Sequence, residues 1–374
     1  MNSANQHTGD IAAAEAGERG AAAGTAGIDR QGSPEGGGKY SPFQLARKYI
    51  RYYLTAANGK GHGIHSPFVF DLVINVLNDS RVFPEYAAIE GLRRKLEADP
   101  TILSIEDMGA GSASGPAVGV IQPGGTTMQR SISDIARRMA KPRKLGQLLF
   151  RIARYYQPER VLELGTSLGL STAYLAAGAT GEAGSQLVKT TEDQRTAEAR
   201  VQPEGKGEEK TTSVDLEAGR KRGGITEIRS TQCGAGKNGG GRARVFTIEG
   251  APEVAAVAES NFRALGLENI ECTIGNFDQV LKETLDRAGR IDLAFIDGNH
   301  RLEPTLRYFD ALYGQLSSSA VVIFDDIHWS REMEEAWESI KKDPRVYLSV
   351  DLFFIGLVFF RDSFKVKQDF VIRF

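Results

Sequence analysis

The sequence predicts a doubly wound α/β sheet of seven strands with an antiparallel edge hairpin and a helical N-terminal extension. Three observations carry that prediction. From Arg160 onward, short apolar segments of strand length alternate with segments of helical period; that alternation implies parallel strands joined by right-handed crossovers. The last two strand segments, 345–350 and 353–360, abut with almost no connection, and so short a link permits only an antiparallel hairpin at a sheet edge. Before residue 158 the apolar residues recur at helical spacing instead, so helices come first.

The extension, 40–157, predicts helices at 42–57 (PFQLARKYIRYYLTAA), 66–78 and 84–98, the last around Ile89, Leu92 and Leu96. Ser66-Pro67 suits a helix start, with Pro at the first helical position. Ser133 is expected to cap a helix through Met139, and Leu145–Tyr156 forms a further amphipathic helix. A Gly/Ser/Pro-rich loop at 109–127 interrupts them, and His62 and His65 in GHGIHSPF read as structural. The sheet domain, 158–374, predicts strands at 160–164, 244–249, 269–274, 291–296 and 320–325 before the hairpin. Helices are expected at 170–178, 252–265, 277–287, 302–315 and 331–342.

Composition narrows the function. The 374 residues carry 46 Lys+Arg against 48 Asp+Glu, a formal charge of −2, which argues against a polybasic nucleic-acid binder. The longest apolar run, Leu352 to Phe360, is strand-sized, far short of the ~18 residues a membrane span needs. No basic stretch followed by an apolar core opens the sequence, so no secretory signal is read. Two cysteines are too few for a disulfide scaffold. The expectation is a cytoplasmic enzyme or binding protein with no membrane partner. Half of the 42 glycines fall in 1–39 and 181–241, segments without apolar periodicity. They read as a disordered tail and a low-complexity insertion, because they cannot bury enough apolar surface to offset chain entropy.

In an open α/β sheet the ligand lies beyond the carboxyl ends of the strands. The first strand ends in Glu163-Leu164-Gly165-Thr166-Ser167-Leu168-Gly169, a turn that lets a ligand approach the backbone at a helix N-terminus. It is neither GxGxxG nor a GKS/T loop, which disfavours nucleoside triphosphates. The second strand ends in Glu249-Gly250, where an acid can accept both hydroxyls of a ribose. Glu249 stands 86 positions after Glu163; setting aside the 61 residues 181–241 leaves 25. That is the spacing of a strand–helix–strand unit. Such an insertion is tolerable, since loop-closure entropy grows slowly with length.

Two further strand ends carry Asp297-Gly298-Asn299-His300 and Asp325-Asp326-Ile327-His328. Neighbouring carboxylates repel unless a cation or a proton compensates; a divalent oxygen-preferring ion such as Mg²⁺ fits Asp297, Asp325 and Asp326. His300 is placed to act as general base on a hydroxyl, with Asp297 beside it. The bland alternative has Asp325 and His328 capping the following helix and Asp297 ordering a loop.

These segments together carry a resemblance. VLELGTSLGLSTAYLA, VFTIEGAPEVAAVAESNF, IGNFDQVL, IDLAFIDGNH and VVIFDDIHW, in this order, look like class I S-adenosylmethionine-dependent methyltransferases, across 160–374 apart from the insertion. GHGIHSPFVFDLV and GQLLFRIARYY resemble the helical N-terminal part of a bacterial group of such enzymes. The resemblance implies a Rossmann-like methyltransferase sheet and S-adenosylmethionine as cofactor. Glu163, Gly165, Thr166, Ser167 and Gly169 would then shape the pocket for its methionine part, with Glu249 and Gly250 at the ribose, Asn276 and Phe277 at the adenine, and Asp297 nearby. The DGNH and DD segments resemble metal-dependent sugar O-methyltransferases, which implies Asp297, Asp325 and Asp326 as metal ligands and His300 as base. Catechol-type relatives have Asn as the last ligand, and Asp326 departs from that version.

The expected partner is a small-molecule acceptor, and a homodimer is compatible with the sequence. A nucleic-acid (RNA) methyltransferase is one rival, motivated by Arg47, Lys48, Arg51, Tyr52 and Tyr53 and by Arg137, Arg138, Lys141, Arg143 and Lys144. Both patches read more simply as solvated helix faces, and no N/D-P-P-Y/F/W turn or Pro-Cys nucleophile accompanies them. A non-catalytic S-adenosylmethionine-binding protein is the other rival, and it has no need of clustered carboxylates.

Overall fold

The computed structural model describes residues 38–106, 119–122, 125–181, 243–361 and 363–374. The expected N-terminal tail and the 181–241 insertion lie almost wholly outside the described residues, as does most of the 109–127 loop. In the extension, α1 (Pro42–Thr55), α2 (Pro67–Leu72), α3 (Pro84–Glu97), α4 (Ile132–Arg138) and α5 (Arg143–Tyr156) fall where the periodicity puts helices. Ser41 opens α1 with a capping box to Gln44, and Ser66 caps α2 ahead of Pro67. Two expectations need correction. Ser131, not Ser133, caps α4: its Oγ accepts from Asp134 N–H at 3.1 Å, while Ser133 N–H donates to Asp99. The interruption between α3 and α4 also contains strands, β1 (Ile102–Glu106), β2 (Gly119–Gln122) and β3 (Gly125–Ser131), paired antiparallel in the order β1-β3-β2. Segments so short and Gly-flanked show no clear period, and only pairing identifies them.

The sheet domain follows as β4 (Arg160–Leu164), α6 (Leu170–Thr180), β5 (Arg244–Glu249), α7 (Pro252–Ala264), β6 (Ile270–Ile274) and α8 (Phe277–Ala288). It continues with β7 (Ile291–Ile296), α9 (Leu302–Tyr313), β8 (Leu316–Asp325), α10 (Arg331–Lys342), β9 (Leu348–Asp351), β10 (Ile355–Phe359) and β11 (Gln368–Val371). Its strand order is β11-β9-β10-β8-β7-β4-β5-β6. β10 runs antiparallel to β8 and β9, the edge hairpin read from the sequence. An eighth strand, β11, pairs parallel with β9; its Gln-Asp-Phe-Val reads as polar, so hydrophobic patterning misses it. From β4 the chain moves outward through β5 and β6, then returns to β7 and β8 on the other side. The reversal between β4 and β7 is where this architecture opens a crevice for a ligand.

One helix explains why the extension is fastened to the sheet. Every residue of α6 from Leu170 to Ala179 is buried, and a helix apolar all round needs cover on the side away from its sheet. The cover is α5, whose Leu148, Leu149, Ile152 and Ala153 are fully buried. The two helices approach closely: a Cβ on Gly146 would lie 2.4 Å from the Tyr174 ring, and one on Gly178 would lie 2.4 Å from the Phe150 carbonyl. Tyr174 also donates to Glu90 of α3 at 2.7 Å. This packing fixes the loop between α4 and α5, residues 139–142, over the strand ends.

A polar cluster fastens α1 on the other side. His328 lies between Glu334 (Nδ1 to Oε1, 3.0 Å) and Asp351 (Nε2 to Oδ2, 2.8 Å), its ring stacked on Phe353. Glu334 also accepts from Tyr40 at 2.7 Å and Lys48 at 2.9 Å. Ser330 rather than Asp325 or His328 caps α10, accepting from Met333 N–H at 3.1 Å. Burial opposes the charge on His328, but the hydrogen bonds to Asp351 and Glu334 outweigh it and raise its pKa to about 9. A pKa raised on folding stabilises fully below the unfolded value of ~6.5 and is lost as pH rises through the folded value. The melting temperature should therefore fall between pH 6.5 and about 9, with at most ~3 kcal/mol at stake. His328→Gln should flatten that limb, and identical pH profiles for the two proteins would refute the assignment.

Candidate active site

The turn after β4 lies against the end of β7. Gly165 has φ +105°, and a Cβ there would stand 2.1 Å from the Asp297 carbonyl oxygen. Gly165 N–H donates to Ile248 at 3.1 Å, and Asp297 N–H donates to Leu164 at 2.9 Å, so the ends of β5, β4 and β7 are stitched together. Two residues on, Ser167 N–H donates to Glu249 Oε2 at 2.8 Å, and Ala251 N–H donates to Oε1 at 3.0 Å. Burial raises the Glu249 pKa while the backbone donors of Ala251, Ser167 and Gly250 oppose the rise. A carboxylate has about four acceptor positions, so with these donors in place about one remains for a hydroxyl group of a ligand.

Gly165, Ser167, Glu249, Gly250, Asn276 and Phe277 all line one cavity of about 890 Å³, and Asp297, His300, Asp325 and Asp326 line it too. Asn276 caps α8 by accepting from Asp278 N–H at 2.9 Å, and the Phe277 ring meets Tyr308 edge-on. Glu163, Thr166 and Gly169 do not line the cavity. Glu163 is fully buried behind the turn, where its Oε2 accepts from Thr172 at 2.5 Å and Thr247 at 2.8 Å. Burial pushes its carboxyl up to about 7. Thr166 bonds Thr247 at 2.6 Å, and Gly169 packs against Phe262. These three brace the turn from beneath.

A glycine turn joined to an acidic second strand end is the decisive arrangement, and residues 162–327 match the protein family described as "Methyltransferase domain". Residues 162–327 thus carry a methyltransferase domain, in keeping with the resemblance of the sequence to class I S-adenosylmethionine-dependent methyltransferases. No curated protein matches the chain in sequence. Among solved structures it is similar to the SAH-bound Podospora anserina methyltransferase PaMTH1, with 13% identity over 80% of this chain and 97% of that chain at a TM-score of 0.43. It is also similar to the Bacillus cereus O-methyltransferase in complex with SAH, with 17% identity over 59% and 83% at 0.38. A third is the Streptomyces achromogenes O-methyltransferase TomG in complex with SAM, with 19% identity over 60% and 82% at 0.38.

The acidic end of the methyltransferase cavity differs from the ligand set read off the sequence. Asp297, His300 and Asp325 each offer an atom, all within 4.8 Å of one another. Asp326 is not in that group; it has φ +53°, and its N–H donates to Phe354 at 2.7 Å. His300 Nε2 is 3.7 Å from Asp297 Oδ1, and its ring lies 5.5 Å from that of Trp329. Burial lowers the His300 pKa against the pull of Asp326 and Asp297, which favours the neutral imidazole.

Among these groups stands a residue that sequence reasoning assigned to a solvated basic patch. Lys141, in the loop between α4 and α5, places Nζ 3.0 Å from Asp297 Oδ1 and bonds Asp325 Oδ2. Its side chain is 13% exposed and that of Asp325 1%, so this is a buried triad rather than a surface pair. Burial pulls Lys141 toward neutrality, but Asp297, Asp325 and Asp326 outweigh it and hold its pKa well above the ordinary lysine value. A signal was present in the sequence: Lys141 precedes Pro142 at a break between two helical patterns, not on the polar face of either. A divalent ion held by both Asp297 and Asp325 would meet this ammonium. With Lys141 in place, the residues do not fit the expected Mg²⁺. Among the described residues no helix is long and apolar enough to cross a membrane.

Proposed function

We propose that this enzyme transfers a methyl group from S-adenosylmethionine to a hydroxyl oxygen of a small molecule, with His300 as general base and Asp297 beside it. The observation that carries the reading is a single cavity that presents Ser167 and Glu249, the cofactor-binding features, together with Asp297 and His300. Its volume of about 890 Å³ lies in the upper part of the ~300–1,000 Å³ typical of small-molecule sites. S-adenosylmethionine supplies an electrophilic methyl group when bound. Glu249 accepts from a ribose hydroxyl, and Asn276 and Phe277 line the wall that meets the base. His300 would take the acceptor O–H proton onto its imidazole as the oxygen gains the methyl group, with the demethylated cofactor as the other product. Alignment of the two reactants is itself worth ~7–11 kcal/mol, and α1, α4 and α5 enclose the cavity that provides it.

Calorimetry with S-adenosylmethionine, its demethylated product and NAD tests the cofactor half; the first two should bind and NAD should not. Glu249→Ala should weaken binding by ~1.5–3 kcal/mol through lost charged hydrogen bonds. Glu249→Gln, which keeps an acceptor for the Ser167 N–H, should lose less. Unchanged affinity in both would remove the ribose assignment. Profiling hydroxyl-bearing acceptors with methyl-labelled cofactor tests the other half, and transfer only to nitrogen or carbon would overturn it.

A further inference from the structure

We propose that Lys141 is the built-in cation of this active site: its ammonium takes the place of a divalent ion between Asp297 and Asp325 and keeps metal out. Two carboxylates whose oxygens share a 4.8 Å cluster with His300 need a compensating charge, and removing the only partner of a buried ion leaves it destabilised. The extension supplies the compensation. The loop 139–142 is held by α5, which α6 requires as cover, so the lysine arrives through packing rather than by a flexible reach. A strongly hydrated ammonium is a compact point charge on a long stem, suited to a gap between two carboxylates at the end of a cavity.

The charge has a further use. An ammonium has three N–H donors; the hydrogen bond to Asp325 and the ion pair with Asp297 at 3.0 Å leave at least a third N–H to point elsewhere, and Lys141 lines the cavity. The third is available to an acceptor oxygen as its proton leaves for His300, where a positioned cation stabilises the developing negative charge. This role in the reaction rests on the O-methylation reading; the exclusion of metal does not. A second observation marks the place as a ligand position: Asp325 Oδ1 is buried with no hydrogen-bond partner among the described residues. Without Lys141, both oxygens of Asp325, with Asp297 and His300, are open to an ion.

The test titrates Mn²⁺ alone into the full-length protein, followed by calorimetry and by the electron paramagnetic resonance of the ion. Wild type should show no site that depends on Asp325. Lys141→Ala should gain a one-to-one site at least ~10-fold tighter, equivalent to about 1.4 kcal/mol, and Lys141→Ala/Asp325→Asn should lose it. A one-to-one Asp325-dependent Mn²⁺ site in wild type, or no gain in folded Lys141→Ala, overturns the proposal. If Lys141→Ala melts below the assay temperature, Lys141→Gln, which keeps most of the side-chain volume, takes its place under the same criteria. S-adenosylmethionine affinity measured on the same samples separates the two ideas: its absence in wild type would sink the methyl-transfer reading and leave the metal result standing.

Discussion

Replacing His300 by alanine is expected to lower turnover by ~10²–10⁴, the usual worth of a positioned general base, while leaving S-adenosylmethionine affinity nearly unchanged. The split follows from the geometry. His300 sits with Asp297 and Trp329 at the acidic end of the cavity, and the group proposed to meet the ribose is Glu249, held by the N–H groups of Ser167 and Ala251. A hydroxyl is a poor nucleophile until its proton is taken, and a neutral imidazole is the form that takes it. Burial favours that form. Single-turnover rates and cofactor calorimetry on the same preparation read both quantities. Full turnover of an identified hydroxyl acceptor by His300→Ala would assign the base elsewhere.

Gly165→Ala is expected to damage binding and catalysis together. Its φ of +105° is a conformation L side chains rarely adopt, and the new Cβ would stand 2.1 Å from the Asp297 carbonyl oxygen. The atoms it meets, the Asp297 carbonyl oxygen and carbon, belong to backbone, so the turn after β4 and the end of β7 must move apart. Those two segments carry the proposed cofactor turn and Asp297, the residue beside the proposed base. The strain at a disfavoured φ alone costs ~1–3 kcal/mol, and the overlap adds to it. Gly289→Ala is the control, since it has φ +70° but no atom within 4 Å of its Cβ. Gly165→Ala should lose cofactor affinity and turnover by at least ~10-fold, whereas Gly289→Ala should lose only thermal stability. Equal effects in the two variants would show that backbone strain, not contact with Asp297, governs the turn.

The sheet was legible because its causes are local and periodic. The apolar strands around Val161, Val245, Leu293 and Val322 alternate with amphipathic helices, and right-handed crossovers leave few topologies for such a chain. The candidate site was legible for a related reason: in an open sheet the strand ends converge on one edge, so Gly165, Ser167, Glu249, Asn276 and Asp297, which line one cavity, could be assigned to one place from strand order alone. What patterning missed has the opposite character. β11 is a short polar edge strand whose identity depends on the backbone groups of β9 beside it, and β1 to β3 acquire their state only by pairing with each other.

Glu163, Thr166 and Gly169 lie in the turn by sequence, yet they face Thr247, Thr172 and Phe262 rather than the cavity. Which side of a tight turn meets a ligand is decided by what packs behind it. Asp326 follows Asp325 directly, but its positive φ and its bond to Phe354 turn it out of the compact cluster. Lys141 is the clearest case. The sequence determined a carboxylate cluster that must find a positive charge, because like charges in a low-dielectric site cannot stand alone. It did not say which charge. That choice belongs to the tertiary structure: an apolar α6 needs α5 as cover, α5 fixes the loop before it, and the loop delivers an ammonium from 156 positions upstream of Asp297. Contacts between residues so far apart in the chain have no period to read, and only packing brings them together.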